Sequence, residues 1–185
     1  MSSDAIEVIS RAFAERGGDV YGERVSQLDH ALQCALIAQE EGASDQLVAA
    51  ALLHDIGHLF ESRGDAAELE GRDARHEAHG ARMLKPWFGP EVAGPVGLHV
   101  AAKRYLCATE PAYEAALSEA SKLSLRLQGG AFTPAQCRRF EAARHAADAV
   151  RLRRWDDAGK VAGRAVPALD AYWPLLVRIS LRRDE

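Results

Sequence analysis

Two adjacent residues, His54 and Asp55, carry the clearest sign of chemistry in this sequence, at the end of an apolar stretch that begins at Leu47. A helix that is apolar on every face has to be buried, because only burial removes all of its faces from water. An unpaired carboxylate is costly to bury, so Asp55 needs a strong partner. A metal ion shared with His54 meets that need, and the stretch therefore predicts a metal site at the end of a central helix.

Further candidate ligands stand at wide intervals along the chain. The two oxygens of Asp55 could bridge two ions, provided that each ion receives imidazoles of its own. Side chains of the required types, at helical positions with small or apolar neighbours, are His30, His76, His99 and Asp156. We interpret His79 and His145 as solvated histidines outside this set, because His79 is off the face of His76 and His145 lies in a run of arginine and alanine. The complete set predicts a metal centre that holds two ions.

The elements that must position these residues are all predicted to be helices. Apolar runs with a period of two are missing, which indicates an all-α fold of about seven to eight helices. Caps and breakers predict helices from Ser2 or Ser3 to Gly17, from Ser26 to about Glu41 and from Ser44 to about His58, and a fourth that carries His76 and ends at Pro86. The later helices are expected from Pro90 to about Tyr105, Thr109 to Gln128, Thr133 to Asp156 and Asp170 to about Leu181.

Composition limits the class of protein. The chain has 185 residues, of which 48% are hydrophobic, enough for one domain, and we expect a single domain over residues 1–185. Its net charge of -4 argues against a nucleic-acid surface. Three widely spaced cysteines fit a reducing compartment, and no signal peptide or membrane span is recognisable. The expectation is a cytoplasmic protein that binds neither nucleic acid nor membrane.

The order of the candidate ligands resembles that of the HD-domain superfamily. His30, His54-Asp55 and Asp156 match the general pattern, and His76 and His99 complete the set of its dinuclear members. Nearly the whole chain is similar to the HD-domain mixed-valence diiron oxygenases that cleave carbon–phosphorus bonds in organophosphonates. The passages that carry this resemblance are residues 22–34, 50–58, 99–106, 118–130, 153–156 and 159–160. The resemblance implies a single HD-domain helical bundle.

The same resemblance implies which residues hold the metals. One iron would be bound by His30, His54, Asp55 and Asp156, and the other by Asp55, His76 and His99. Asp55 would bridge the two ions in a mixed-valence Fe(II)/Fe(III) pair. Nitrogen and oxygen ligands of this mixture suit iron, although manganese and zinc stay open.

A second group of residues is expected to meet the substrate. Lys103 lies one helical turn after His99, so its ammonium would hang beside the metals, and Arg153 could reach the same anion in bidentate fashion. The resemblance adds His58 and Ser121 as phosphonate contacts. The alternatives are solvated charges for Lys103 and Arg153, and a hydroxyl bonded to its own helical turn for Ser121.

The loop before the first ligand departs from the family. Members of the family carry a tyrosine three residues before the glutamate of this loop. That tyrosine can bind iron until the substrate displaces it. Here that position is Val20, and Tyr21 is displaced by one residue, while Glu23 keeps its place. Tyr21 is the candidate gating residue, and Glu23 could pair with a substrate ammonium, whereas a trimethylammonium is better served by aromatic faces. The amine substituent of the substrate therefore stays open.

The implied activity is an O2-dependent oxygenase acting on a 1-hydroxy-2-(amino or trimethylammonio)ethylphosphonate, with phosphate and glycine or glycine betaine as products. Candidate catalytic residues are His58, Lys103, Tyr21 and Glu23. One alternative is a metal-dependent HD phosphohydrolase acting on a nucleotide or phosphate monoester, which needs the same ligands; the chain lacks a glycine-rich phosphate loop. The other is a non-catalytic HD module that binds a small ligand or a partner protein, which the complete ligand set disfavours.

Overall fold

A computed structural model of the protein describes residues 2–20, 24–60 and 75–181, with side chains from residue 4 onward. Within these ranges every regular element is helical and strands do not occur, so the predicted all-α class is confirmed. The first six α-helices are α1 (Ser2–Arg16), α2 (Gln27–Glu40), α3 (Asp45–Leu53), α4 (Ile56–Leu59), α5 (His76–Phe88) and α6 (Pro90–Thr109). They are followed by α7 (Tyr113–Ala116), α8 (Glu119–Leu127), α9 (Pro134–Glu141), α10 (Ala146–Ala158), a 3-10 helix (Leu169–Tyr172) and α11 (Trp173–Ile179).

Local sequence signals set the starts of the early helices where we predicted them. The Ser26 hydroxyl accepts a hydrogen bond from the Asp29 amide at 3.1 Å and caps α2. The Ser44 hydroxyl caps α3 in the same way, through the Leu47 amide at 3.3 Å. These bonds satisfy amide groups that have no partner inside the helix. A cap needs only residues within one turn, which is why the sequence alone located it.

The central helix is shorter than predicted. It ends at Leu53 instead of His58; His54 and Asp55 form a turn, and α4 starts at Ile56. Asp55 has φ −98° and ψ 7°, between helical and extended backbone, so the regular 100° step between successive side chains is broken here. This break allows two adjacent side chains to face the same centre.

Other breaks raise the count to eleven α-helices among the described residues, above the predicted seven to eight. Pro86 does not end α5, which continues to Phe88 and stops at Gly89 with φ 77°. The predicted helix 109–128 divides into α7 and α8 because Ser118 caps a new helix through the Ser121 amide. The predicted helix 133–156 divides at residues 142–145 into α9 and α10. Apolar spacing runs through such short breaks, so periodicity by itself does not reveal them.

The ends of two further helices also differ from prediction. The last one begins as a 3-10 turn and ends at Ile179, before Leu181, while α6 continues to Thr109, beyond the expected end near Tyr105. Helix ends are the least certain part of such predictions because fraying and tertiary contacts decide them.

The apolar helix α3 occupies the centre of the protein, as predicted. All seven of its residues from Leu47 to Leu53 are buried, and it packs against α2, α6, α10 and α11. One core cluster extends from Ala5 in α1 to Leu176 in α11. Among the helices that the structure describes, none combines the length and hydropathy that a bilayer span requires. The core thus surrounds the helix that ends at the His-Asp pair.

Candidate metal centre and anion pocket

Five separate elements direct side chains to one centre at the end of α3. The turn after α3 supplies His54 and Asp55, and the other members come from helices α2, α5, α6 and α10: His30, His76, His99 and Asp156. The four histidines and Asp156 are buried, at 0–6% exposure, while the Asp55 side chain is 20% exposed. Buried polar groups gathered in this way require strong mutual or external partners.

The two oxygens of Asp55 face different pairs of imidazoles. Oδ1 lies 3.3 Å from His76 Nε2 and 3.5 Å from His99 Nε2. Oδ2 lies 3.4 Å from His54 Nε2 and 3.7 Å from His30 Nε2. This is the arrangement that a carboxylate bridging two ions requires.

Asp156 completes the second of these groups. Its Oδ1 lies 3.4 Å from His30 Nε2, and its Oδ2 lies 4.0 Å from His54 Nε2. One group thus contains His30, His54, Asp55 and Asp156, and the other contains Asp55, His76 and His99. The structure brings all six predicted ligands together in the two sets that the sequence resemblance implies.

The hydrogen bonds of the rings define which nitrogens face inward. His30 Nδ1 donates to the Gly159 carbonyl at 2.9 Å, and His54 Nδ1 donates to the Ala51 carbonyl at 2.9 Å. A carbonyl only accepts, so Nδ1 carries the proton and Nε2 presents a lone pair. The two Nε2 atoms nevertheless lie 3.2 Å apart. Two lone pairs at this distance repel each other, and a positive charge between them, from a proton or a metal ion, relieves that repulsion.

The second pair of imidazoles has the same character. His99 Nδ1 donates to the Val96 carbonyl at 2.8 Å, and His99 Nε2 lies 3.1 Å from His76 Nε2. Asp55, His76 and His99 have donor atoms within 4.8 Å of one another and could hold a metal ion. The donor chemistry of both groups therefore fits metal ions.

Burial and the neighbouring charges shift the pKa values of the ligands in different directions. Burial lowers the pKa of His54 and, with the neighbouring His76, holds the pKa of His99 well below its usual range. Burial by itself would raise the pKa of Asp55, but His54 and His76 outweigh it and hold that pKa well below its usual range. Arg153 and Lys160 do the same for Asp156. Burial also opposes the charged forms of His30 and His76, but Cys34 and Asp156 raise the pKa of His30 well above its usual range, and Asp55 raises that of His76. The centre therefore offers neutral rings at His54 and His99 and ionised carboxylates, and at His30 and His76 a metal ion would replace a proton held by the same carboxylates.

Cys34 is a buried neighbour that the sequence analysis did not include in the centre. Its sulfur lies close enough to His30 and His54 to form a potential ligand group with them. However, Sγ is 3.7 Å from His30 Nδ1 and 3.9 Å from Nε2, so it packs against the ring, and the thiol donates to the Trp155 carbonyl at 3.4 Å. Burial raises the pKa of the Cys34 thiol. We therefore favour Asp156 over Cys34 as the fourth ligand of this group.

Beside the ligands lies a small cavity of about 80 Å³ that is rich in cations. The lining includes Lys103, Arg153 and Lys160 together with the hydroxyls of Ser121 and Ser124. Lys103 is only 2% exposed and donates to Ser124 Oγ at 2.6 Å, and Arg153 is 3% exposed, so neither is a solvated charge. Buried cations facing a cavity form a site for an anion.

Ser121 is bonded to these cations and not to its own helical turn. Its Oγ accepts from Lys160 Nζ at 3.1 Å and from Arg153 Nη2 at 3.4 Å. Lys160 Nζ also lies 3.5 Å from Asp156 Oδ1, so the anion pocket and the ligand group share a wall. The hydroxyl therefore stands where two cations converge.

Arg153 contacts two carboxylates of its own helix, whereas we predicted a bidentate contact with the substrate anion. Nη1 lies 2.6 Å from Asp156 Oδ2, while Nε and Nη2 form a two-pronged contact with Asp157, with Nε 3.2 Å from Oδ2. The bidentate contact of Arg153 in this structure is thus with Asp157. Its approach to the anion pocket is through Nη2, beside Ser121.

His58 also lines the cavity and lies against the centre. Its ring stacks on His76, with centroids 3.9 Å apart and planes 22° apart. Burial, and the neighbouring His76, lower the pKa of His58 to about 3, so the ring is neutral. Tyr21 and Glu23, the remaining predicted site residues, lie outside the described residues.

The structure adds two residues to the pocket that the sequence analysis did not assign a role, Lys160 and Ser124. Spacing could have found them, because Lys160 follows Asp156 by four residues and Ser124 follows Ser121 by three. Of the two histidines that we left out of the centre, His79 is exposed, as expected. His145 is half-buried and not solvated as expected, because its ring lies over Gly94, where a Cβ would collide with it.

Comparison with known proteins agrees with this site. The sequence family described as HD domain matches residues 28–125. A hydroxymethylphosphonate dioxygenase from Gimesia maris is 45% identical over 159 residues, which cover 85% of this chain and 79% of that protein. The glycine-betaine-forming [1-hydroxy-2-(trimethylamino)ethyl]phosphonate dioxygenase of Leisingera caerulea is 39% identical over 175 residues, covering 94% of this chain and 89% of that protein. A metal-dependent phosphohydrolase from Cordyceps militaris is 34% identical over 77 residues, which cover 40% of this chain and 22% of that protein.

Proposed function

Because the chain belongs to the HD-domain family, and within it to the group that contains the two phosphonate dioxygenases, we propose that it is a diiron oxygenase cleaving the carbon–phosphorus bond of a 1-hydroxyphosphonate. The observation that carries the proposal is the juxtaposition of two imidazole–carboxylate groups with a pocket of buried cations. The imidazole–carboxylate groups would bind two metal ions, and the pocket of buried cations would bind the phosphonate dianion.

The overall reaction balances with one molecule of O2 as the oxidant. The hydroxyphosphonate and O2 give a carboxylate, a phosphate and a proton. The carbon–phosphorus bond breaks, C1 is oxidised, and both oxygen atoms of O2 end in the products. With an aminomethyl or trimethylammoniomethyl group on C1 the organic product is glycine or glycine betaine, and with hydrogen alone it is formate.

We assign the ligands as the sequence resemblance implies. His30, His54, Asp55 and Asp156 would hold one iron, and Asp55, His76 and His99 the other, in a mixed-valence Fe(II)/Fe(III) pair. Bound iron supplies the binding and reduction of dioxygen. The facing Nε2 lone pairs and the ionised carboxylates support this assignment, and reconstitution with iron, manganese or zinc tests the identity of the metal.

Lys103, Lys160 and Ser121 are the proposed phosphonate contacts, with Arg153 behind them. An ammonium buried in a pocket of low dielectric neutralises a dianion more strongly than one in water, because fewer solvent dipoles screen it. A phosphonate held by these groups would lie next to the ligand group, because Lys160 Nζ is 3.5 Å from Asp156 Oδ1. Placement of this kind lowers the barrier by orienting the reacting bond.

His58 is proposed to contact the phosphonate as a neutral ring. With its pKa at about 3, it accepts or donates one hydrogen bond without adding charge. Apolar side chains that also line the pocket, Val25 and Val100, reduce the water that reaches the reacting carbon. Tyr21 as a gate and Glu23 as a partner for a substrate ammonium stay predictions from the sequence.

A phosphohydrolase acting on a phosphate monoester is the second candidate, and the short match to a metal-dependent phosphohydrolase favours it. It requires the same metals and the same anion pocket. The two candidates differ in one requirement, since hydrolysis consumes water and not O2.

Phosphate release from Fe(II)-loaded protein, with and without O2, tests the proposal. The substrates are hydroxymethylphosphonate and the 1-hydroxy-2-aminoethyl and trimethylammonio analogues, with a phosphate monoester as control. Release that depends strictly on O2 with any of the three phosphonates is the expected result, and the preferred one identifies the substituent. Release from the monoester without O2 would replace the oxygenase by the phosphohydrolase.

A further inference from the structure

Arg153 is a buried cation between two consecutive carboxylates of its own helix. On α10, Asp156 and Asp157 follow it by three and four residues, so both lie one turn away on the same face. The Arg153 side chain is 4% exposed, and it contacts Asp156 through Nη1 at 2.6 Å and Asp157 through Nε and Nη2. The second of these carboxylates, Asp157, has no role in the proposed metal centre.

Tyr113 fixes this pair from a different element. Its hydroxyl, on the short helix α7, donates to Asp157 Oδ2 and accepts from Arg153 Nε at 3.1 Å. Burial raises the pKa of Tyr113, so the phenol keeps its proton and stays a donor. The half-buried Asp157 carboxylate is thus bound on one side by a guanidinium and on the other by a hydroxyl.

The rigid shape of the guanidinium carries the effect of these contacts to the centre. Its donors point in fixed directions within one plane. When the edge formed by Nε and Nη2 is held on Asp157, Nη1 is directed at Asp156 Oδ2. The other oxygen of Asp156, Oδ1, is then left facing His30 Nε2 at 3.4 Å.

The sharing of the Arg153 charge between Asp156 and Asp157 supports the same effect on the centre. If Asp156 were the sole partner of Arg153, the guanidinium would neutralise most of its negative charge and weaken it as a ligand. Asp157 takes up two donors of Arg153, so Asp156 retains charge for a cation. Nη2 also lies 3.4 Å from Ser121 Oγ, so the same guanidinium touches the anion pocket.

We infer that Asp157 and Tyr113 are positioning residues that hold Arg153, and through it orient Asp156 as a metal ligand and Ser121 as a phosphonate contact. The expected effect on metal retention does not depend on the proposed function. Only the expected effect on phosphonate kinetics rests on the proposed function. Outer groups that orient a ligand typically change metal affinity by about 10- to 100-fold.

The decisive measurement is the release of Fe(II) to an excess of chelator from Asp157→Asn and Tyr113→Phe proteins. Asp157→Asn keeps the shape and removes the charge, and about tenfold faster release of one of the two ions is expected, with the other unchanged. Tyr113→Phe removes one hydroxyl and should change the same ion by a smaller factor. Asp157→Glu, which restores the charge, should recover part of the loss.

Two matched controls separate positioning from a general loosening of α7 and α10. Glu110→Gln breaks the exposed ion pair between Glu110 and Arg154, which joins the same two regions. Tyr105→Phe removes a tyrosine hydroxyl that bonds to an exposed glutamate, Glu141. Both variants should release their ions at the wild-type rate. Equal effects in Glu110→Gln and Asp157→Asn would overturn the inference, and so would wild-type release in Asp157→Asn.

Kinetics provide the second readout. With a phosphonate substrate, Asp157→Asn should raise KM several-fold, because the Arg153 guanidinium beside Ser121 is no longer held in place and only Lys160 still fixes this hydroxyl. Reloading with iron should not reverse this rise. If the wild-type protein turns over no phosphonate, the proposed function fails while the release rates still decide the inference. If Asp157→Asn does not fold, Tyr113→Phe decides it with the same assay.

Discussion

Histidine rings at the centre are oriented by backbone carbonyls, and this is what makes them candidate ligands. His30, His54 and His99 each donate Nδ1–H to a carbonyl at 2.8–2.9 Å, which leaves every Nε2 lone pair facing inward. Outer hydrogen bonds of this type hold the tautomer and the ring angle before a metal arrives. The rings are therefore oriented by backbone carbonyls, which do not depend on the identity of the residues that carry them.

His99→Ala tests the dinuclear assignment. His99 belongs to the group with Asp55 and His76, so its removal should lower the metal content by about one ion per chain and abolish turnover. The helical circular dichroism should survive, because the substitution removes no side chain of the apolar core cluster. Metal analysis and activity check the prediction, and retained activity would end the dinuclear assignment.

Lys103→Ala tests the anion pocket. Loss of one charged hydrogen bond to the phosphonate should cost about 1.5–3 kcal/mol, or roughly 10- to 150-fold in kcat/KM. Lys122→Ala is the matched control, since Lys122 lies on α8 near Ser121 but its ammonium pairs with the exposed Glu119. An unchanged kcat/KM in Lys103→Ala would remove this residue from the site.

The lowered pKa of His58 predicts how the stability of the protein depends on pH. Its pKa is about 3 in the folded protein and about 6.5 when unfolded. Between these values the unfolded chain binds a proton that the folded protein does not, so this residue lowers stability as the pH falls below 6.5. His58→Asn cannot titrate and should lose about 2 kcal/mol less than wild type between pH 7 and pH 5.

Urea unfolding at the two pH values measures this difference. The loss of the stacking contact with His76 is the same at both pH values and cancels in the comparison. An identical pH dependence in the two proteins would contradict a neutral His58.

At the scale of elements, the break between α3 and α4 decides the geometry of the centre. The turn at His54 and Asp55 is followed by Gly57, which approaches the His76 carbonyl so closely that a Cβ would collide with it. The short helix α4 thus packs directly on the start of α5, which carries His76. Close backbone contact at this glycine brings two ligand-bearing elements together.

Gly57→Ala tests this contact. The added methyl meets backbone and not a flexible side chain, so we expect a loss of about 1–3 kcal/mol of stability together with weaker metal binding. Gly18→Ala is the control, because a Cβ there meets nothing within 4 Å, and it should change stability by less than about 0.5 kcal/mol. Chemical unfolding compares the two variants, and equal losses would exclude the contact as the cause.

At the scale of the whole molecule, the candidate ligands join elements far apart in the chain. The first is on α2 and the last on α10, and both helices pack against α3. An ion bound by such residues stabilises only the folded chain, because the unfolded chain does not bring the ligands together.

Removal of the metals should therefore lower the melting temperature. Each ion at about 100 times its Kd contributes roughly 2.7 kcal/mol, so for a protein of this size the loss of each ion should lower the melting temperature by about 5–10 °C. If residues 1–185 form one domain, as we predict, the transition stays single with and without chelator. Calorimetry measures both quantities, and two separate transitions would contradict the single domain.

The sequence by itself determined the all-α class, the buried central helix and the residue types of the centre. These depend on local signals: caps such as Ser26 and Ser44 act within one turn, and an apolar helix has to be buried wherever it packs. The ligand sets came from resemblance to a family, which carries three-dimensional information that spacing does not contain.

Only the tertiary structure decided which partners the charged residues have. The fork of Arg153 is occupied by Asp157 and Tyr113, Lys160 joins the anion pocket, and His145 covers Gly94. Each of these outcomes depends on side chains from separate elements meeting at distances of a few ångströms. Periodicity predicts which face of a helix is buried, but the way the helices pack decides which side chains meet that face. These contacts therefore could not be predicted from the sequence.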